Sequence, residues 1–337
     1  MSETDMDWAA VGAHLATAGL VLLPGERARF PGGFANRNYR IELESGPAVL
    51  RRPPPGPLPK GAHDMGREHT ILSRLPDALP FVPRSLHLCE DTSVIGVKFQ
   101  VIEYREGVVI GGTLPAAFAG RGAELSEMLV ATLAAINTAD TAALGLDGLG
   151  RPEGFLGRAV EGWLTRGAAA DAGPVLDELG AWLRANAVPD GAPGLLHNDF
   201  KLDNVIVDPV SLRPNAVVDW DQGTRGDPLF DLATLLSYWT EPGDPAVMHE
   251  LQQMPSAGDG FISRATVVAR WSALTGRDVS DIRFHRVLAM VKLGVIFLQL
   301  HGLYRRGATA DQRYARFGGL GAGLLEFALE IAAGRAF

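Results

Sequence analysis

Apolar residues recur along this chain in two rhythms, and the change from one to the other divides the sequence. Near the start, Trp8, Val11, Leu15 and Leu20 share one side of a short helix predicted over 7–20. Strand-like pieces follow at 27–30, 39–43 and 48–52. In the second, Tyr39, Ile41 and Leu43 alternate with Arg40 and Glu42, the period of a half-buried strand. Ser45-Gly46-Pro47 signals a tight turn. The prolines between Arg52 and Pro57 lack backbone donors, which excludes helix and central strand and predicts a stiff surface loop. A helix is predicted over 62–75, burying Met65, Ile71, Leu72 and Leu75, and a hairpin strand pair over 94–104.

From about residue 107 the longer period takes over. Leu125, Met128, Leu129, Thr132, Leu133 and Ile136 form a helical stripe, and Trp182 and Leu183 fall on a later helix. Two apolar pieces, 204–207 and 216–220, flank a turn at 208–214, and the chain after Asp227 is again largely helical. A small β-rich part before a large helical part predicts an α+β fold with two lobes.

Composition narrows the class. Hydrophobic residues make up 47% and charged residues 21% of 337, as in ordinary soluble proteins. One cysteine, Cys89, excludes a disulfide framework and a cysteine-based zinc cluster, and its apolar surroundings predict a buried thiol. The net charge of −8 argues against a nucleic-acid partner. Residues 1–7 are acidic and lack the apolar core of a signal peptide, and the best candidate for a membrane span, 287–304, is interrupted by Lys292, Gln299 and His301. A cytoplasmic protein with no membrane partner is expected; oligomeric state is not readable.

The segment richest in chemistry is His197-Asn198-Asp199-Phe200-Lys201-Leu202-Asp203-Asn204, with Asp219 beyond the following turn. A lone aspartate before a turn is more often a cap or a solvated charge. The combined spacing H-x-D-x-x-x-x-N…D is that of kinase-like phosphotransferases, whose reaction needs a carboxylate to receive the acceptor's proton and oxygen ligands for magnesium. Downstream, Asp227-Pro228 is an N-cap and first-turn pair, and Asp231 follows.

With these pieces stand Gly32-Gly33-Phe34-Ala35-Asn36, the run from Val49 to Gly56, Arg67-Glu68, Glu103-Tyr104 with Glu106-Gly107, and Gly226-Asp227-Pro228. Together they resemble the aminoglycoside phosphotransferase and choline kinase-like family, and most of all the phosphotransferase domains associated with acyl-CoA dehydrogenases. The resemblance covers about residues 30–235. It implies a bilobal protein-kinase-like fold, with an N-lobe over 1–103 and a C-lobe over 104–337. It implies ATP (or GTP) and Mg²⁺ as cofactors, and a small-molecule hydroxyl as acceptor. Asp199 would be the base, Lys201 would reach the γ-phosphate, His197 would orient the loop, and Asn204 and Asp219 would hold metal. Gly32, Gly33 and Asn36 would cover the phosphates, Glu68 would fix the phosphate-binding cation Arg51, and Glu103 to Arg105 would meet adenine through backbone groups. The family usually carries lysine at the position of Arg51. An acidic residue at the place of Asp231 braces the catalytic loop in the family. Ile136-Asn137 replaces a common Leu-His pair, which is expected to affect packing and not chemistry.

The acceptor has no motif. Residues 261–337 carry 11 Lys/Arg against 5 Asp/Glu, a net of +6, so 1–260 carry −14. That favours a neutral or anionic acceptor, such as a hydroxyacyl-CoA, over a polycation. Lys292, His301, Tyr304 and Arg305 are the candidate contacts, against the plainer reading of solvated helix faces. An antibiotic phosphotransferase, a nucleotide-binding module with little catalysis, and a metal-dependent hydrolase using His197, Asp199 and Asp219 remain as alternatives.

Overall fold

The computed structural model describes residues 6–30, 36–54, 63–258, 260–309 and 311–337. Its helices and strands run in the order α1 (Trp8–Thr17), β1 (Arg37–Leu43), β2 (Gly46–Arg52), α2 (Met65–Leu72), β3 (Ser85–Cys89), β4 (Phe99–Glu103), β5 (Val108–Val109), α3 (Gly122–Asn137), α4 (Phe155–Ala169), α5 (Pro174–Ala185), β6 (Gly194–Leu196), β7 (Val205–Val207), β8 (Pro214–Val217), β9 (Thr224–Gly226), α6 (Pro228–Tyr238), α7 (Ala246–Leu251), α8 (Arg264–Thr275), α9 (Ile282–Arg305) and α10 (Phe317–Ala332). The chain divides into two units. One is Met1–Gly107 with Thr141–Asp147 and Asn215–Gly223; the other is Val108–Asp140, Gly148–Pro214 and Thr224–Phe337. The division expected at 103/104 thus stands at 107/108. Residues 215–223 join the first unit because they bond there: Val217 N donates to Phe81 O at 2.7 Å and Trp220 N to Glu68 Oε1 at 3.1 Å.

The first unit is built on an antiparallel sheet of order β1-β2-β4-β3. The alternation in β1 buries Tyr39, Ile41 and Leu43 against Ala48, Leu50, Phe99 and Val101, with Val11 and Leu15 of α1 closing the core. Asp7 caps α1 by accepting from Ala10 N at 2.9 Å, and Asp64 caps α2 by accepting from Arg67 N at 3.1 Å. The β1–β2 hairpin turns so tightly that Gly46 takes φ +121°, a conformation a side chain would strain. Three expectations shift. The piece at 27–30 makes only an isolated bridge, Arg29 to Tyr39. The hairpin placed at 94–104 is instead β3 with β4, because Asp91 folds the intervening chain into a turn, accepting from Ser93 N at 2.8 Å. Helix α2 stops at Leu72, and Pro76 leads a separate 3-10 turn over Leu75–Asp77. Cys89 is buried, as its surroundings predict.

In the second unit α3 presents the expected stripe, with Leu125, Leu129, Leu133 and Ile136 buried. Strand β5 pairs with β7 and β6 with β9, both antiparallel. Every residue of α6 is buried. The polar residues expected to interrupt a membrane span lie within one helix, α9, which by length and composition alone could cross a membrane. Of its apolar window 61% is buried within the structure, and it packs on α6 and α10. A glycine pair permits this packing. A Cβ on Gly294 would sit 3.0 Å from Gly321 O, and one on Gly321 would sit 2.8 Å from Gly294 O.

Candidate active site

The sequence-predicted residues form two clusters, one in each unit. In the first unit, β2 carries Arg51 into the sheet interior, where it is 4% exposed. Its Nε donates to Glu68 Oε2 at 3.1 Å, its Nη1 to Asn38 Oδ1 at 3.2 Å, and its Nη2 to Asp219 Oδ1 at 2.7 Å. Burial opposes the charge, but Glu68, Asp219 and Asp221 outweigh it and hold Arg51 above the ordinary guanidinium range. Arg52, on the opposite face, donates to its neighbour Pro53 O at 3.3 Å and is not bonded to Glu68. Glu68 is fully buried on α2 and also accepts from Gln100 Nε2 and Trp220 N. Burial raises its carboxyl above the usual range, against the pull of Arg51.

Asp219 does not end the strand, as its apolar approach predicts. Strand β8 stops at Val217, and Asp219 takes φ +70° at the head of a 3-10 turn. That kink aims its carboxylate back at Arg51. Asp221, two residues on, accepts from Asn36 Nδ2 at 3.2 Å, while Asn36 Oδ1 meets His63 Nδ1 at 2.9 Å. Burial, with Asp219 and Glu68 nearby, pushes Asp221 up to about 8. Three carboxylates thus gather around one guanidinium, and burial keeps the His63 imidazole below its ordinary pKa. Asp219, with 28% of its side chain exposed, is the most open of the three acids. It offers the oxygen donor that a hard divalent cation takes, such a cation needing only one or two carboxylates and completing its shell with water and phosphate oxygens.

At the end of β4, Glu103 accepts from Arg84 N at 3.2 Å and from Arg105 Nη2 at 2.9 Å. Gly32 and Gly33 lie outside the described residues; Asn36 is spent on the His63–Asp221 bridge.

In the second unit the 197–204 loop is fixed from beneath by Asp231, fully buried on α6. Its Oδ2 accepts from His197 N at 2.9 Å and its Oδ1 from Asn198 N at 2.8 Å. The neighbouring Asn137 departs from expectation. It does not merely pack: its Nδ2 donates to Asp231 Oδ2 at 3.1 Å and Leu195 O at 2.9 Å, and its Oδ1 accepts from Trp271 Nε1 at 3.1 Å. An amide can take these bonds on both ends at once, so it extends the brace. His197 is fully buried, and its Nδ1 accepts from Asp199 N at 3.3 Å, an orienting contact.

Asp199 projects from this frame. Its Oδ2 meets Lys201 Nζ at 3.2 Å and Asn204 Nδ2 at 3.4 Å, and its Oδ1 accepts from Tyr238 Oη at 2.7 Å. Asn204 Nδ2 also donates to Asp199 O at 2.8 Å, which turns its own carbonyl oxygen away from Asp199. Lys201 shares itself with Asp203 at 3.2 Å. The loop is therefore acidic at one point, cationic beside it, and rigid below.

The four candidate acceptor contacts do not come together. Lys292 is 4% exposed and donates to Asn198 O. His301 lies nine residues on, roughly 14 Å along the same helix axis; its Nδ1 donates to Tyr314 O at 3.0 Å. Tyr304 donates to Gln312 Oε1 at 3.0 Å, and Arg305 is exposed. Four of the eleven C-terminal cations are paired with acids within their unit: Arg264 with Glu241 and Asp244, Arg270 with Glu127, Arg313 with Asp311, and Arg335 with Glu330. Tyr238, which the sequence presents as an aromatic on an apolar helix, joins the site by its contact with Asp199. No signal short of the fold pairs it with Asp199.

Comparison with known proteins bears on both clusters. Residues 26–263 match the model of the phosphotransferase enzyme family. The chain is 29% identical over 311 residues to acyl-CoA dehydrogenase family member 11 of Gallus gallus, covering 90% of this chain and 40% of that protein. Among solved structures, a Ralstonia eutropha protein assigned as an aminoglycoside phosphotransferase superposes with a TM-score of 0.79 at 23% identity, over 97% of this chain and 98% of that one. A thermostable mutant of aminoglycoside phosphotransferase APH(4)-Ia, in ternary complex with AMP-PNP and hygromycin B, gives a TM-score of 0.59 at 19% identity, over 96% and 99%. The fold is thus the protein-kinase-like phosphotransferase fold. The chain spans less than half the length of the curated relatives it matches.

Proposed function

This chain belongs to the phosphotransferase enzyme family, and on that premise we propose that it transfers the γ-phosphoryl group of ATP to a hydroxyl of a small molecule. The pose of Asp199 carries the reading. Its carboxylate stands on a braced loop, with Lys201 at its side and Asn204 tied to its backbone. In this reading Asp199 receives the acceptor's proton as the oxygen attacks phosphorus, and Lys201 offsets charge on the transferring group. Arg51, held by Glu68, Asn38 and Asp219, contributes positive charge to the phosphate oxygens and has one Nη1 N–H left to donate. Asp219 in the first unit and Asn204 in the second each carry an oxygen donor of the kind that would suit Mg²⁺. When bound, the ion supplies positive charge to the phosphate oxygens.

A hydroxyacyl thioester of coenzyme A is the acceptor we favour. Its support is the relatives named as acyl-CoA dehydrogenase family members. The internal pairing of the C-terminal arginines weakens the charge argument for an anion but supplies none for a polycation. A cavity of about 230 Å³ in the helical unit, lined by Glu250, Gln252, Arg316 and Leu320, likewise carries one acid and one base.

The test is a mass-spectrometric search for phosphorylated products of Mg-ATP with hydroxyacyl-CoAs, choline, aminoglycosides and macrolides. Wild type is expected to add one phosphoryl group to a hydroxyacyl-CoA, and Asp199→Ala is expected to add none. Phosphorylation of aminoglycosides or macrolides alone would replace the proposed acceptor with an antibiotic. Absence of any product, with Mg-ATP still bound, would favour a binding module.

A further inference from the structure

Beside the Asp231 brace, α6 sends Tyr238 and α9 sends Lys292 to the loop, and neither belongs to the loop's own motif. Lys292 sits in the middle of α9 between apolar neighbours that are themselves buried, from Val287 to Val295. An ammonium there costs several kcal/mol unless it is paired. It has no carboxylate within ion-pair distance among the described residues; its Nζ donates to Asn198 O and lies 5.4 Å from the Phe230 ring centroid. Asn198 adopts the left-handed φ of +68°. The peptide joining Asn198 to Asp199 is therefore held at both ends, its oxygen by Lys292 and its N–H by His197 Nδ1. That fixes the direction in which Asp199 leaves the backbone. Tyr238 then fixes the carboxylate: with Oη on Oδ1, the side chain cannot rotate without breaking a 2.7 Å bond. Burial, reinforced by Asp199, holds the Tyr238 phenol well above its ordinary pKa, so it remains a donor.

We propose that Lys292 and Tyr238 are positioning residues that set Asp199 for phosphoryl transfer, one through the backbone and one through the carboxylate. The proposal rests on the phosphotransfer reading above. It also moves Lys292 from acceptor contact to loop support. Removal of Lys292 would take this donor from the Asn198 carbonyl and so free one end of the peptide that carries Asp199. Misplacing a reacting group by about 1 Å can cost about a hundredfold in rate.

The experiment measures ADP release from Mg-ATP with water as acceptor, together with AMP-PNP affinity, on the full chain. Lys292→Met and Tyr238→Phe are expected to lower kcat about tenfold or more, leaving KM for Mg-ATP and AMP-PNP affinity within about threefold. Asp199→Asn serves as the reference and is expected to lose turnover. Wild-type kcat in either variant, with Asp199→Asn inactive, would overturn the role of that residue. Loss of AMP-PNP affinity in step with kcat would overturn it too, by showing a general structural effect. Should Lys292→Met fail to fold, Tyr238→Phe, which removes a single oxygen, decides the carboxylate half, and Lys292→Arg, expected to recover most of kcat, decides the other. Wild-type ADP release by Asp199→Asn would remove the premise itself, an outcome distinct from the others.

Discussion

The two chemistry-bearing clusters are held by opposite means. In the first unit, one buried guanidinium, Arg51, gathers the acids Glu68, Asp219 and Asp221 around it. In the second, one fully buried carboxylate, Asp231, accepts two backbone N–H groups, and amide, indole, phenol and ammonium donors complete the frame. A cluster of ionisable groups is suited to handling charge; a frame of buried donors and acceptors is suited to holding one side chain still. The difference matches the division of labour in phosphoryl transfer, where charge compensation and positioning supply most of the catalysis.

The comparison breaks most visibly at Asp231. Asp231→Ala strands the N–H groups of His197 and Asn198 in a buried site, at about 1–3 kcal/mol each. A stability loss of roughly 2–6 kcal/mol is expected in denaturant unfolding, with turnover lost. A loss under about 0.5 kcal/mol, the scale of an ordinary surface change, would show that the loop is held by something else.

Arg51→Lys is expected to do less, because it keeps the charge and loses the fork. Lysine can reach one of Glu68, Asn38 and Asp219 but cannot bridge all three as the guanidinium does. KM for Mg-ATP should rise about tenfold, the equivalent of ~1.4 kcal/mol, with kcat within a few-fold. An unchanged KM would remove Arg51 from nucleotide contact and return it to holding the acids together.

Much of this was legible in the sequence. The loop motif, Glu68 and the strand register that separates Arg51 from Arg52 depend on local spacing, and spacing survives in one dimension. Asp219 was legible as a residue but not as a shape, since its left-handed kink falls just where strand periodicity stops. Asn137, Tyr238 and Trp271 were not legible as supports of the loop, and Lys292 was legible only as a candidate acceptor contact. Each acts across 39 to 134 residues of sequence, from helices whose apolar pattern announces only burial. Lys292 offered one hint: a charge inside a buried apolar run must have a partner. Its partner turned out to be a loop carbonyl. The pooled C-terminal charge was a coarse guide, because a count along the chain does not show that Arg264, Arg270, Arg313 and Arg335 have acids beside them.

The central claim is that Asp199 receives a proton in phosphoryl transfer and does not merely help to bind nucleotide. Asp199→Asn keeps the size of the side chain and removes its charge, so turnover of Mg-ATP and AMP-PNP affinity measured on the same preparation separate the two roles. The account predicts turnover lower by about a hundredfold to ten-thousandfold, the usual contribution of a general base, with AMP-PNP affinity within about threefold of wild type. Wild-type turnover in Asp199→Asn, or a loss confined to nucleotide affinity, would contradict it.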